Sequence, residues 1–429
     1  MKSFYLKPAV ATSLKGYTKS QLVKDLTAGL IVAIIALPLS VALAIASGVS
    51  PKAGVYTAIA AGFFVSLLGG SNVQIAGPTA AFATTVAGIV ATKGLSGLFV
   101  ATILAGIILM IMGICKLGGL IKYIPHPITV GFTSGIAVTI LIGQIKSFMG
   151  LSYKDGVNPI ETFEKVEANV HSIATTSIPA VVVGLISLLI LIVYPKLEKR
   201  VPASLVAVVA GVLMVKFIPW FSSGVKTIGD LYTIPAGLPK VSFSGIDLSM
   251  ENIVSLLPSA VTIAVLAGIE SLLSCVVADG MTDSKHNPNA ELVAQGVGNI
   301  ASVCFGGIPA TGAIARTAAN IKSGGRTPIA GMVHSLVLLL VLLFLMPLAS
   351  FIPMPTIAAI LFMVAYNMSE WKKFVGIIKE KKFIASMVLV MTFLLTVIFD
   401  LVVAIAAGLV VYYLFVLIDF ISKKKTSKE

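Results

Sequence analysis

The sequence predicts an all-α polytopic membrane protein of about fourteen transmembrane segments, arranged as two seven-span halves of inverted topology. Three observations predict it. Hydrophobic residues make up 57% of the 429 and charged residues only 11%, with a mean hydropathy of +1.02, whereas a soluble domain carries roughly a quarter charged residues. The apolar residues fall into many runs, each near the roughly 20 residues that a spanning helix needs. Two short segments, each broken by Gly and Pro, stand third in their respective halves, and paired interruptions of this kind mark transporter folds built from inverted repeats.

Taken in order, residues 1–23 are polar and basic and read as a cytoplasmic segment. They precede a full-length apolar run rather than a short one with a cleavage site, so no cleavable signal peptide is expected. Spans are expected at 24–48, 51–69, 73–91, 95–115, 126–149, 176–195 and 203–220 in the first half. The second half, after a connector at 221–251 expected to be extracellular, has spans at 252–280, 287–305, 308–322, 327–349, 354–369, 382–399 and 400–421, and a basic tail follows at 422–429. Pro38 is expected to kink the first span. The 150–175 loop, with Asp155, Glu161, Glu164 and Glu167, reads as external, and Asp400 is the sole break between the last two spans.

An even number of spans puts both termini on one side, and the charge distribution says which. Of the 31 Lys and Arg, 22 fall on the side of the termini, 8 on the other, and Arg316 alone lies in the membrane. This is a strong positive-inside bias, so both termini are expected in the cytoplasm and the protein in the plasma (inner) membrane. The net charge of +13 therefore orients the chain in its lipid bilayer and implies no nucleic-acid partner. Lys423–Lys425 read as a stop at the inner leaflet.

The two broken segments carry the chemistry. One is Gly77-Pro78-Thr79-Ala80; the other runs from Phe305 through Gly307-Ile308-Pro309 to Thr311-Gly312-Ala313-Ile314-Ala315-Arg316-Thr317. Each is expected to be a short extended stretch followed by a half-helix, because extended backbone at membrane depth survives only when buried in protein or lining a cavity. Two such starts from inverted halves would aim their N-termini at one spot, and free N–H groups with a positive dipole end favour an anion there. Arg316 adds a permanent cation, costly in hydrocarbon unless it faces a site or a partner. Thr79, Thr311, Gly312 and the neighbouring alanines leave room for a small ligand close to the backbone. Glu270, mid-span in the segment that opens the second half, is either a counter-ion to Arg316 or a carboxylate that takes a proton or cation during a cycle. Ser274 shares its helical face at i+4.

Other polar residues read as structural. His334 reads as a satisfied packing histidine, His126 between Pro125 and Pro127 as loop, and Asp279 and Asp283 with Lys285 and His286 as a solvated cap. Cys115, Cys275 and Cys304 lack pair or metal spacing and read as small buried packing residues. No metal-spaced His/Cys set, Walker motif or nucleophile elbow is present, so the chain is not expected to be an enzyme or, by itself, an ATP-driven pump, and needs no cofactor.

At Asp25 to Leu30, Ala36 to Ser40, Gly77 to Ala80, Gly268 to Leu273, Asn299 to Gly307, Thr311 to Thr317 and Gly324 to Pro328, the chain resembles the sulfate permease (SulP) family of anion transporters almost from end to end. The resemblance implies a core domain (spans one to four and eight to eleven, residues 24–115 and 252–349) moving against a gate domain (spans five to seven and twelve to fourteen, residues 126–220 and 354–421), usually as a homodimer. It places the anion at Leu43, Thr79, Ala80, Ala313, Ala315 and Arg316. Sodium-coupled bicarbonate members use the positions occupied here by Glu270, Ser274, Gly312 and Ile314; the longer acid and the missing hydroxyl make H⁺ as plausible a coupling ion as Na⁺. Relatives also carry a cytoplasmic STAS domain, which is expected to be absent after Glu429.

The resulting expectation is a secondary active transporter of a small anion such as bicarbonate, sulfate or a dicarboxylate. Alternatives are an uncoupled anion channel, exchanger or voltage-responsive motor, and a nucleobase permease of the same repeat.

Overall fold

The structure is a computed structural model that describes residues 6–154, 156–157, 159–198, 201–233, 247, 249–380, 382–399 and 401–426, without the side chains of 121, 122, 401, 402 and 419–426. Asp155, Lys199, Arg200, Lys381, Asp400, the side chains of Lys423–Lys425 and residues 234–246 and 248 of the 221–251 connector lie outside the described residues.

A four-residue α1 (Val10–Ser13) precedes α2 (Lys19–Ala46), whose first turn is capped by the Thr18 hydroxyl oxygen accepting from Gln21 N–H at 3.2 Å. The helix continues through Pro38. Helix α3 (Pro51–Leu68) opens on proline, which costs nothing where the N–H would have no partner anyway. The chain then extends through β1 (Ala76–Gly77), makes a 3₁₀ turn at Ala80–Phe82 and enters α4 (Ala83–Ile114).

The spans expected at 73–91 and 95–115 are therefore joined in one element, broken inside only at Gly94 (φ 69°, ψ −176°). A straight helix of that length would reach about 48 Å, well beyond a hydrocarbon core of roughly 30 Å. The break makes two passages of it. A Cβ at Gly94 would touch nothing within 4 Å, so the backbone shape, which an L side chain resists, is what requires glycine there.

Helix α5 (His126–Met149) begins at His126 itself, correcting the loop expected there: Pro125 and Pro127 flank a helix start, where proline is tolerated. Between the spans lies a short surface helix, α6 (Thr162–His171), closed by a capping box of Glu161 and Glu164. The backbone N–H groups of Ile160 and Glu161 hold the Glu164 carboxyl below its usual range. Next come α7 (Ile178–Leu197), α8 (Ala203–Phe217), and the single turns α9 (Pro219–Ser222) and α10 (Ile228–Leu231). The second half holds α11 (Met250–Thr282), α12 (Pro288–Cys304), β2 (Thr311–Gly312), α13 (Ile314–Lys322), α14 (Pro328–Phe344), α15 (Met354–Met368), the amphipathic α16 (Trp371–Lys379), α17 (Phe383–Ile398) and α18 (Leu401–Thr426).

Helices α2, α3, α4, α11, α12, α13 and α14 pack together, and α5, α7, α15, α17 and α18 pack against one another. Lipid offers no hydrophobic drive for helix association, so close backbone approach has to supply the contact. Antiparallel α4 and α12 do this where Gly106 meets Gly296 and Gly113 meets Asn289 and Val293.

At one end of the bundle, buried Asp25 accepts hydrogen bonds from Tyr17 Oη (2.8 Å), Gln21 Nε2 (3.0 Å), Arg326 N (2.9 Å) and Thr327 Oγ1 (2.7 Å). Burial first, and the bond to Asp25 second, push the Tyr17 hydroxyl up to about 12. Arg326 Nη1 in turn donates to Ile321 O and Gly325 O, closing the C-terminal end of α13. Cys275 is buried and Cys304 half-buried, but Cys115 is exposed where α4 runs out, which corrects its expected burial.

Candidate functional site

The two extended stretches meet. Ala76 pairs with Gly312 and Gly77 with Thr311 in a two-residue antiparallel ladder, extended by Ala313 N donating to Ile75 O at 2.8 Å. A half-helix leaves each strand: the turn at Ala80 leading into α4, and α13 at Ile314. Neither start has a side-chain cap, so the first-turn N–H groups about Ala80, Ala81, Ile314 and Ala315 have no helical acceptor. These are the expected anion donors.

So short a ladder leaves most of the extended backbone to be satisfied by side chains, as membrane depth demands. Asn299 does it for the second stretch, with Nδ2 donating to Ala310 O and Oδ1 accepting from Ala310 N, both at 2.9 Å. Thr57 Oγ1 accepts from Ile308 N at 2.7 Å, and Ser302 Oγ donates to Ile308 O at 2.7 Å. On the first stretch, Glu291 accepts from Gly70 N (3.0 Å), Thr317 Oγ1 from Ile75 N (3.1 Å), and Asn320 Nδ2 donates to Val73 O (2.9 Å). Leucine at 299 would leave two buried backbone groups unpaired at about 1–3 kcal/mol each. Asn299→Leu is therefore expected to lower the melting temperature in detergent and to abolish transport with it; wild-type values for both would refute this role.

Glu270 sits where the strands meet. Its Oε2 accepts from Thr79 Oγ1 and from Thr311 Oγ1, each at 2.9 Å, one hydroxyl from each stretch. Arg316 is 1% exposed and does not pair with it: among the described residues no ion pair joins the two. Nη2 of Arg316 donates instead to Pro78 O at 3.1 Å and Ser40 Oγ at 3.3 Å, while Nε and Nη1 find no acceptor among the described residues. A fixed positive charge therefore lies against the first strand, and a carboxylate held only by hydroxyls lies beside the second. A cavity of about 370 Å³ reaches this region at Ala81, with Thr85, Thr139, Thr262 and Thr396 among its walls and Glu161 as its charged lining residue. A larger groove of about 640 Å³ between α3 and α14, walled by Phe63, Phe64, Phe305 and Leu336, is apolar and does not reach the strands.

The sequence matches the Sulfate permease family over residues 22–392. The chain belongs to that family. It is similar to YvdB of Bacillus subtilis (strain 168), named as a candidate sulfate transporter, at 44% identity over 406 residues, covering 94% of this chain and 74% of that protein. The bicarbonate transporter BicA of Picosynechococcus sp. is 33% identical over 402 residues, covering 90% and 69%. Among solved structures, the transmembrane domain of a cyanobacterial bicarbonate transporter BicA superposes with a TM-score of 0.79 at 30% identity, covering 91% of this chain and 98% of that one. SLC26A9 superposes at 0.87 over 97% and 68%, with 19% identity, a likeness of fold. A member of this family is a membrane anion transporter, not an enzyme.

In this sulfate permease family member, the residues expected at the site divide into four groups. Thr79, Ala80, Glu270, Thr311, Gly312, Ala313 and Arg316 surround the paired strands. Thr79 and Thr311 were expected to hold the anion, but their hydroxyls are given to Glu270. Leu43 is 2% exposed and packs into the same apolar cluster as Ala80 and Phe82. Ser274 was paired with Glu270 on one face; its hydroxyl instead crosses to Gln74 Oε1 at 2.8 Å. Ile314 and Ala315 are exposed.

The other positions implied for the coupling ion have contacts of their own. Ser274 is committed to Gln74, Gly312 N donates to Ser271 Oγ at 2.9 Å, and the Ile314 side chain has no oxygen.

Sequence reasoning missed Gln74, Ser271, Glu291, Gln295 and Asn299. The last three recur every four residues on an apolar helix, a polar stripe whose period announces one buried face. Gln74 Nε2 donates to Ser271 O at 3.1 Å and fills the space over Gly312, where an added Cβ would overlap the amide. Gly312→Ala should therefore cost about 3 kcal/mol or more by overpacking, read as a lower melting temperature; unchanged stability would show that the strand contact is loose.

Proposed function

We propose that the chain is a secondary active transporter that moves a small inorganic or carboxylate anion, of the bicarbonate or sulfate class, by alternating access and in company with a proton. The observation that carries this reading is the convergence of two uncapped helix starts, a buried guanidinium and an uncompensated carboxylate on one two-residue ladder. The helix starts supply N–H donors and positive dipole ends, and Arg316 sets the field without touching the ligand. Glu270 binds the proton: its negative charge opposes the anion when bare and ceases to do so when protonated, which links the two binding events. The names of the relatives supply the anion class. The helices packed as two groups supply the bodies that move, expected as a core and a gate with the domain limits given above and usually as a homodimer, with both termini cytoplasmic.

The test is uptake of labelled bicarbonate, sulfate and a dicarboxylate into proteoliposomes with pH and sodium gradients imposed separately. Accumulation driven by an inward proton gradient and indifferent to sodium is expected. Accumulation driven by sodium alone would overturn the proton assignment. A large ionic current without saturation would favour the uncoupled channel.

A further inference from the structure

Nine buried side-chain nitrogen and oxygen atoms find no hydrogen-bond partner among the described residues, and five of them belong to three residues on one seam: Ser66 Oγ, Arg316 Nε and Nη1, and His334 Nδ1 and Nε2. The seam is the contact of α3 with α14 behind strand β1. The positions that define it are close together. A Cβ on Gly62 of α3 would lie 3.3 Å from Ala76 O of the strand and 3.5 Å from His334 Nδ1, and a Cβ on Gly331, one turn from His334, would overlap Ser66 Oγ. A Cβ on Gly77, the next residue of the same strand, would overlap Arg316 Nη1. Arg316 and His334 therefore lie beside two adjacent strand residues. Both side chains are essentially shut from solvent, at 1% and 0% exposure.

Buried polar groups in folded proteins are paired with protein or with ordered water. A neutral imidazole offers one acceptor and one donor, a hydroxyl offers both, and a guanidinium offers donors only. The unmatched N–H groups of Arg316 need acceptors that His334 and Ser66 can pass on through water. No residue in the seam supplies a carboxylate, so the guanidinium keeps its full charge for the strand side.

We propose that His334 is a positioning residue: through ordered water in this seam it holds the guanidinium of Arg316 against strand β1, where its field reaches the anion. The proposal rests on the reading of Arg316 given above. The pairing removes two of the guanidinium's idle donors without neutralising it, which a carboxylate at 334 would not allow.

The experiment compares wild type, His334→Leu and His334→Gln in proteoliposomes with labelled bicarbonate and labelled sulfate, alongside a high-resolution map of the wild-type protein. His334→Leu is expected to raise the anion KM at least fivefold with the maximal rate within twofold. His334→Gln, which keeps a donor and an acceptor, is expected to return KM to within twofold of wild type. Ordered solvent should bridge residues 334 and 316 in the map. Should His334→Leu not fold, His334→Phe keeps the ring and drops its nitrogens, and the same KM shift is expected of it. An unchanged KM overturns the proposal. So does equal loss of rate and melting temperature in the leucine and glutamine variants, the mark of a packing role, and so does a dry seam. If Arg316→Ala transports like wild type, the anion-site reading has failed, and the map then decides alone whether His334 holds the guanidinium.

Discussion

Arg316→Ala is expected to reduce the uptake efficiency of the anion at least 50-fold while leaving expression and monodispersity intact. At an effective dielectric constant of about 20, a unit charge some 5–10 Å away contributes about 2–3 kcal/mol, and each 1.36 kcal/mol is about tenfold. The structure says why the loss should fall on binding rather than on the fold. Among the described residues Arg316 makes two hydrogen bonds, to Pro78 O and Ser40 Oγ. The strands keep their ladder and the bonds of Asn299, Thr57 and Thr317 without it. Arg316→Lys should fall between, since the ammonium keeps the charge but loses the fork that spans Pro78 and Ser40. Initial rates against anion concentration, measured in proteoliposomes, would settle this; a variant with wild-type efficiency would show that the helix starts alone hold the anion.

Glu270→Gln is expected to separate exchange from accumulation. Its amide oxygen can still accept from the Thr79 and Thr311 hydroxyls, so both stretches keep the contact that ties them together. The residue can no longer gain or lose a proton in the working range. Counterflow of labelled anion should persist within about tenfold, a tolerance of roughly 1.4 kcal/mol, while accumulation against a concentration gradient under an imposed pH gradient should vanish. Retained proton-driven accumulation would remove Glu270 from the coupling step, and loss of both activities would make it structural.

How much of this was legible without coordinates differs by feature. Apolar runs fixed nearly every helix to within a few residues: α3 begins at Pro51, where hydropathy and proline placed it. The Gly-Pro interruptions gave the two strands, because proline marks a first turn and extended backbone cannot otherwise be tolerated at that depth. The partners of those strands were not legible. Asn299 and Glu291 lie far from Ala310 or Gly70 in any periodic reading of single segments, and only the packing of α12 across both stretches brings them together. The i+4 spacing puts Ser274 on the helical face of Glu270, but its hydrogen-bond partner Gln74 arrives from another element and is not legible in one helix. His334 was read as satisfied because buried histidines usually are, and a sequence cannot count the acceptors around a ring.

Composition, run length and breaks determined by themselves that this chain crosses a membrane many times and interrupts two crossings at matched places. They act locally, through hydration of apolar surface and the φ restriction of proline, and so can be read from neighbours in the chain. The tertiary structure alone decided that Glu270 answers to two threonine hydroxyls rather than to Arg316, that Arg316 lies behind a strand, and that one helix supports both strands. Those outcomes follow from competition among donors and acceptors that meet only when distant segments pack, in a medium where every unpaired group is costly.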